Sequence, residues 1–213
     1  ENKIEEITKL GIDHIFVIPF DIEFSKMTAE DFLKEIIINR FNPKEIIVGH
    51  DHHFGFKKQG DVQFLNNNKI KYGFDVLEVE AQYQSNEIIS STWIRELIES
   101  KEIEKVNLLL GRNFSIMGTV VHGSGRGRLL GFPTANIQDR NPLLQSLNSG
   151  VYLVNIFYDI KRENGVCNVG YRPTFDSQKK KVIEVHLFLS KPLNLYGEEL
   201  KIEFIQFIRD EEK

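Results

Sequence analysis

A change of texture near residues 111–113 constrains this chain's fold more than any single motif. Before it, short apolar runs alternate with helical patterns; after it, strand-like runs follow one another with Gly, Pro and Asn turns between them. Strands separated by helices predict a parallel sheet with right-handed crossovers. A succession of short strands without helices predicts an antiparallel barrel. At 213 residues the chain is long enough for two cores of that size. The reading is α/β plus all-β, with a first domain over 1–112 and a second over 113–213.

In the first half, residues 2–10 read as a helix and the apolar run from His14 to Phe20 as a buried strand. Thr28, with Asp31 three positions on, can cap the next helix, whose apolar stripe is Phe32, Leu33, Ile36 and Ile37. Glu45 to Gly49 and Phe74 to Val79 read as strands flanking a short helix near Asp61 to Asn67. Open α/β sheets bind ligands beyond the carboxyl ends of their strands. The loop His50-Asp51-His52-His53-Phe54-Gly55 falls at such an end. Its three histidines and an aspartate are ligand types that zinc accepts. Adjacent residues rarely converge on one ion, however, so the loop reads as part of a nucleotide or flavin pocket, through Asp51 and Phe54.

Two helices close this half. One opens on Ser90-Ser91-Thr92 and carries Arg95 one turn on, then Ile94, Leu97 and Ile98 on its apolar stripe. Hydroxyls at a helix N-terminus either cap the helix or join its free N–H groups in holding an anion, and both readings stand. The next helix reads as capped near Ser100, carries Ile103, Val106, Leu109 and Leu110, and stops at Gly111.

In the second half, 114–121, 150–158, 165–170, 182–189 and 199–208 read as strands. Gly123-Ser124-Gly125-Arg126-Gly127-Arg128 places glycines at alternate positions, where backbone N–H groups can approach an anion, with Arg126 and Arg128 supplying charge. Plain solvated turns use the same residues. Thr134 and Asn136, in the segment Gly131 to Asn136, offer hard oxygen donors of the kind Mg²⁺ accepts beside nucleotide phosphates. Glu184 and His186 share one face of a strand and Val185 takes the other. A carboxylate on the inner face of a barrel is costly unless paired or used. Glu184 could accept the proton of an attacking hydroxyl; alternatively both side chains face water.

A net charge of −4 argues against nucleic acid as the main partner, and no aromatic stacking pair points to RNA binding by the barrel. No apolar run reaches the length of a membrane span, and the charged, amphipathic start is neither a signal peptide nor a presequence. The lone Cys167 excludes an internal disulfide and fits a cytoplasmic protein.

In their order and spacing these segments resemble the bacterial bifunctional riboflavin kinase/FAD synthetase family. The similarity runs through Pro19-Phe20-Asp21, Val48 to Gly55, Gly60-Asp61-Val62, Ile89 to Arg95 and Leu110-Gly111-Arg112. It continues through Gly118 to Gly123, Gly131 to Asn136, Gly150-Val151-Tyr152, Asn168 to Phe175, Glu184 to Phe188, Leu195 to Glu198 and Phe207-Ile208-Arg209. The resemblance implies a Rossmann-like nucleotidyltransferase domain followed by an antiparallel Greek-key β-barrel kinase. The kinase would move the γ-phosphoryl of ATP onto riboflavin to give FMN, and the first domain would adenylate FMN to FAD. On this resemblance Thr134 and Asn136 would hold Mg²⁺ and ATP phosphates, and Glu184 would be the base. The loop bearing Gly123, Gly125, Arg126, Gly127 and Arg128 would close over the nucleotide. Ser90, Ser91, Thr92 and Arg95 would match the triphosphate-binding motif of the adenylyltransferase. A non-catalytic flavin- or nucleotide-binding regulator is the alternative. The family's glycine-Asx-phenylalanine-aspartate strand end and HxGH-type motif have no counterpart in residues 1–30, and the chain starts at Glu1 rather than at Met. The residues are therefore expected to begin midway through the first domain, to stop before the family's C-terminal helical segment, and to make no FAD by themselves.

Overall fold

The computed structural model describes residues 2–122, 134–138, 147–173, 179–189 and 193–211. Packing divides the chain into two compact units, Glu1–Ile88 and Ile89–Lys213.

In the first unit, α1 (Asn2–Thr8) leads through irregular chain to α2 (Ala29–Asp31), a π-helical stretch Phe32–Ile38 and α3 (Asn39–Phe41). Thr28 caps α2: its hydroxyl oxygen accepts from the Asp31 N–H at 3.1 Å and its O–H donates to the Asp31 carboxylate at 2.7 Å. β1 (Glu45–Gly49), α4 (Val62–Tyr72) and β2 (Asp75–Val79) follow, and β1 pairs with β2 in parallel from Glu45↔Asp75 to Gly49↔Val79. A parallel pair needs a crossover longer than a hairpin, and α4 supplies it. The Asp61 carboxylate caps α4 by accepting from the Phe64 N–H at 2.7 Å, and Gly73 ends it in the left-handed conformation. A two-residue ribbon, β3 (Tyr83–Gln84) with β4 (Glu87–Ile88), closes the unit. Leu33, Leu65 and Phe74 form its small buried core.

The run His14 to Phe20 is not the buried strand its composition implies. It has no regular structure, and Phe16 and Phe20 are 65% and 78% exposed. An apolar run becomes a strand only when a ladder partner satisfies its backbone. Among the described residues β1 pairs with β2 alone, and Phe16 instead rests edge-on against Phe41 at 4.5 Å.

The second unit begins with α5 (Ser91–Glu99) and α6 (Ile103–Leu110). Six strands follow: β5 (Phe114–Val121), β6 (Ala135–Gln138), β7 (Gly150–Tyr158), β8 (Lys161–Pro173), β9 (Lys179–Leu187) and β10 (Glu199–Arg209). They close into an antiparallel barrel in the order β10-β5-β6-β9-β8-β7. β6 pairs with β9 although β7 follows it in sequence, a non-consecutive connection of Greek-key type. Strand alternation sends Ile116, Tyr152, Val154, Cys167, Val185, Ile202 and Phe204 inward, all at zero exposure.

Ser100 does not cap α6. The N-cap there is Glu102, without a side-chain hydrogen bond, and the Ser100 hydroxyl turns back to the Leu97 carbonyl at 3.1 Å. The sequence texture changes at 111–113, whereas packing divides the chain at Ile88/Ile89. Both helices bury their apolar stripes (Leu97, Ile98, Ile103 and Val106) in the barrel's own cluster. Asn107 on α6 ties helix to barrel. Its amide N–H donates to the Phe204 carbonyl at 2.9 Å and its side-chain oxygen accepts from the Phe114 N–H at 2.8 Å. Asn107→Ala leaves two backbone groups without that partner, so a loss of about 1–3 kcal/mol in chemical denaturation is expected.

Burial pushes the Cys167 thiol up, so that it stays protonated well above neutral pH. As the chain's single cysteine, at zero exposure, it is expected to resist a thiol-specific reagent in the native state and to react stoichiometrically in denaturant.

Candidate functional site

The barrel's outer face carries a polar row, and strand register builds it. β6 is only four residues long and is clamped between β5 and β9. On the β5 side the approach is close at Gly118, where a Cβ would stand 2.5 Å from Ile137 Cγ2 and 2.9 Å from the Gln138 carbonyl oxygen. Glycine at 118 therefore lets β6 lie tight against β5. On the other side Asn136 pairs with Glu184, and Glu184 in turn pairs with Asn168 on β8. Directly opposed residues of antiparallel strands share a face, so the three side chains line up as amide, carboxylate, amide. Ala135, Val185 and Cys167, paired with one another and each one residue from the row, face the core.

Glu184 and His186 thus stand on the outer face of the barrel, both half-buried, and the inner-face alternative for Glu184 does not apply. The His186 ring meets Phe188 edge-on at 5.8 Å. Thr134, also half-buried, immediately precedes β6. The row brings Asn136 and Glu184 together, with Thr134 two residues away along the chain. Gly123, Gly125, Arg126, Gly127 and Arg128 lie outside the described residues, as does Gly131 to Pro133. His122, just before them, stacks on Tyr196 with ring centroids 4.0 Å apart. Asn168 was not among the expected site residues; the one hint was a polar residue between Cys167 and Val169 in an otherwise apolar strand segment.

In the first unit, the loop after β1 turns sharply. Gly55 sits at φ 73°, ψ 169°, and an added Cβ would fall 2.5 Å from the Ala29 backbone nitrogen, so only glycine fits. Phe54 is half-buried between Phe32, at 5.5 Å, and Phe64, at 5.8 Å, and exchanges backbone hydrogen bonds with Gly60 at 2.9 Å. It anchors the loop to the core, and Asp51 stands exposed at the tip. The histidines diverge: His52 stacks on Phe54, and the His53 ring meets the Asp51 carbonyl at 2.9 Å.

At the N-terminus of α5, Ser90 is the N-cap, its hydroxyl oxygen accepting from the Trp93 N–H at 3.2 Å. Ser91, Thr92 and Arg95 are exposed in the first turns that follow.

What such an arrangement can do is set by its donors. A carboxylate between two amides can take a proton from a hydroxyl and hold that hydroxyl in place. Hydroxyl and amide oxygens suit a divalent cation that arrives with a nucleotide. Among the described residues no group of three His, Cys, Asp or Glu side chains is assembled for a transition metal.

Comparison with known proteins decides the family. Residues 110–213 match the riboflavin kinase family profile and residues 1–93 the FAD synthetase profile. A bifunctional riboflavin kinase/FMN adenylyltransferase of Buchnera aphidicola (subsp. Schizaphis graminum) is 43% identical over 215 residues, which is 99% of this chain and 68% of that protein. The chain belongs to the bifunctional riboflavin kinase/FMN adenylyltransferase family. The Escherichia coli K12 member is 33% identical over 212 residues, covering 99% of this chain and 66% of its own length. The chain thus spans about two thirds of the family members it matches. A crystal structure titled a macrolide-efflux protein from Streptococcus pneumoniae is similar over 100% of this chain and 67% of its own, at TM-score 0.85 and 28% identity. Among the described residues no helix is long and apolar enough to cross a membrane. As a family member the protein is an enzyme of flavin cofactor biosynthesis, with a nucleotidyltransferase-type part and a riboflavin kinase barrel. Both parts belong to ATP-dependent chemistry, and a purely regulatory role is not favoured.

Proposed function

We propose that the outer face of the barrel, at Thr134, Asn136 and Glu184, is where riboflavin is phosphorylated to FMN. The observation that carries the reading is the register Asn136↔Glu184, which sets a carboxylate beside a cation-suited amide on the outer face of the barrel. Glu184 accepts the proton of the terminal ribityl hydroxyl as its oxygen attacks the γ-phosphorus of ATP. The bond between that phosphorus and the bridging oxygen breaks, and ADP leaves. Phosphoryl transfer asks a protein mainly for positioning and charge neutralisation. Mg²⁺ bound with the nucleotide would supply the latter on the phosphates, and Thr134 and Asn136 are the residues that would hold it. Gly123, Gly125, Arg126, Gly127 and Arg128 are assigned to the nucleotide phosphates, on their alternate glycines and two positive charges in the sequence.

In the FAD synthetase part, Ser91, Thr92 and Arg95 at the α5 N-terminus bind the triphosphate of ATP, with Ser90 as the cap, and the loop of Asp51 and Phe54 borders the flavin or nucleotide. The functional boundary lies near 112, and the enzyme works in the cytoplasm on riboflavin, FMN and ATP. Protein mixed with riboflavin and Mg-ATP is expected to give FMN by chromatography. Riboflavin bound tightly but recovered unchanged supports the regulator instead. The second reaction is read by mixing FMN with Mg-ATP and following FAD.

A further inference from the structure

The polar row does not end at Glu184. Asn168 continues it on β8, and its side-chain oxygen is buried with no hydrogen-bond partner among the described residues. A buried, unpaired amide oxygen is costly, of the order of 1–3 kcal/mol, and calls for a donor. On β7 the next residue of the row is Val151, paired with Asn168. The neighbouring row on the same face runs His186, Val166, Leu153. Moving from β6 to β7, the outer face therefore changes from amide and carboxylate to half-buried aliphatic side chains.

The groups that the proposed reaction brings to this face narrow the donor a substrate could offer Asn168. Phosphate oxygens only accept hydrogen bonds, so the triphosphate does not satisfy an acceptor. A cation shared with Asn136 is excluded by span. The two strands lie two spacings apart, roughly 9–10 Å, with Glu184 between them, and a Mg²⁺ ion binds its ligands at about 2.1 Å. A hydroxyl remains. In the proposed reaction the flavin brings a chain of hydroxyls, whose last one faces Glu184, and an aromatic ring system that suits an aliphatic surface.

Resting on the kinase reading above, we infer that Asn168 is a substrate-positioning residue: its side-chain oxygen accepts a hydrogen bond from a hydroxyl of the ribityl chain, on the ring side of Glu184. The flavin then lies across the strands, phosphate-accepting end at β6 and β9, ribityl chain over Asn168, ring toward Val151, Val166 and Leu153.

The test compares riboflavin with lumiflavin, which has the ring and no hydroxyl chain, by fluorescence titration of the full chain and its Asn168→Ala and Asn168→Asp variants. Asn168→Ala is expected to weaken riboflavin about tenfold and lumiflavin less than about twofold, with KM for riboflavin raised and KM for ATP unchanged. Asn168→Asp, close in shape and still an acceptor, is expected to recover riboflavin affinity, and to move the acid limb of kcat/KM to higher pH through its new charge beside Glu184. Equal loss for both flavins, no loss for either, or no recovery with Asp overturns the role of Asn168 while leaving the kinase reading intact. Wild-type protein that makes no FMN overturns both.

Discussion

Glu184→Gln is expected to lower kcat for FMN formation by about a hundred- to ten-thousandfold, the range for loss of a positioned base. Glutamine keeps the size and the hydrogen-bonding end of the side chain and loses only the ability to take a proton. Glu184 is half-buried between Asn136 and Asn168, in a strand whose inward neighbours Ile183 and Val185 are buried. The substitution leaves those neighbours in place, so binding of riboflavin and Mg-ATP should change little and the melting temperature should hold. Steady-state kinetics with parallel titrations separates the effects. A kcat within about threefold of wild type removes Glu184 from proton transfer.

Asn136→Ala is expected to raise KM for Mg-ATP about ten- to a hundredfold, in line with the loss of one ligand or orienting group at a metal site, and to leave riboflavin affinity close to wild type. The asymmetry follows from the row: Asn136 lies on the β6 side of Glu184, away from the aliphatic surface proposed for the ring. Raising free Mg²⁺ should recover part of the rate in this variant and none of it in Glu184→Gln. Equal weakening of both substrates would mean that Asn136 acts by holding β6 to β9 rather than at the nucleotide. Gly118 offers a control. Gly118→Ala forces β6 off β5, where the nearest atoms include the backbone carbonyl of Gln138, and is expected to cost about 1–3 kcal/mol of stability.

Much of the barrel was legible in sequence. Strands β5 and β7 run over the expected 114–121 and 150–158, because each is rich in β-branched and aromatic residues and is followed by turn residues. β1, at 45–49, was equally plain. β6 was not. Ala135-Asn136-Ile137-Gln138 has poor strand propensity, and only its pairing with β5 and β9, distant in sequence, makes it a strand. The error at His14 to Phe20 is the reverse: strong propensity without a ladder partner. Period-2 alternation showed that Glu184 and His186 share a face, but which face points inward depends on closure of the barrel. Asn168 escaped for the same reason, since its place beside Glu184 is a matter of register between β8 and β9.

A single-turnover reaction with ATP labelled at the γ-phosphorus follows the proposed transfer itself. Full chain in excess over riboflavin, with Mg-ATP, is expected to carry the label into FMN one-for-one with the ADP released, and Glu184→Gln to slow that transfer without releasing the flavin. Label found only in inorganic phosphate, or left in ATP while riboflavin stays bound, would contradict a kinase site on the outer face of this barrel.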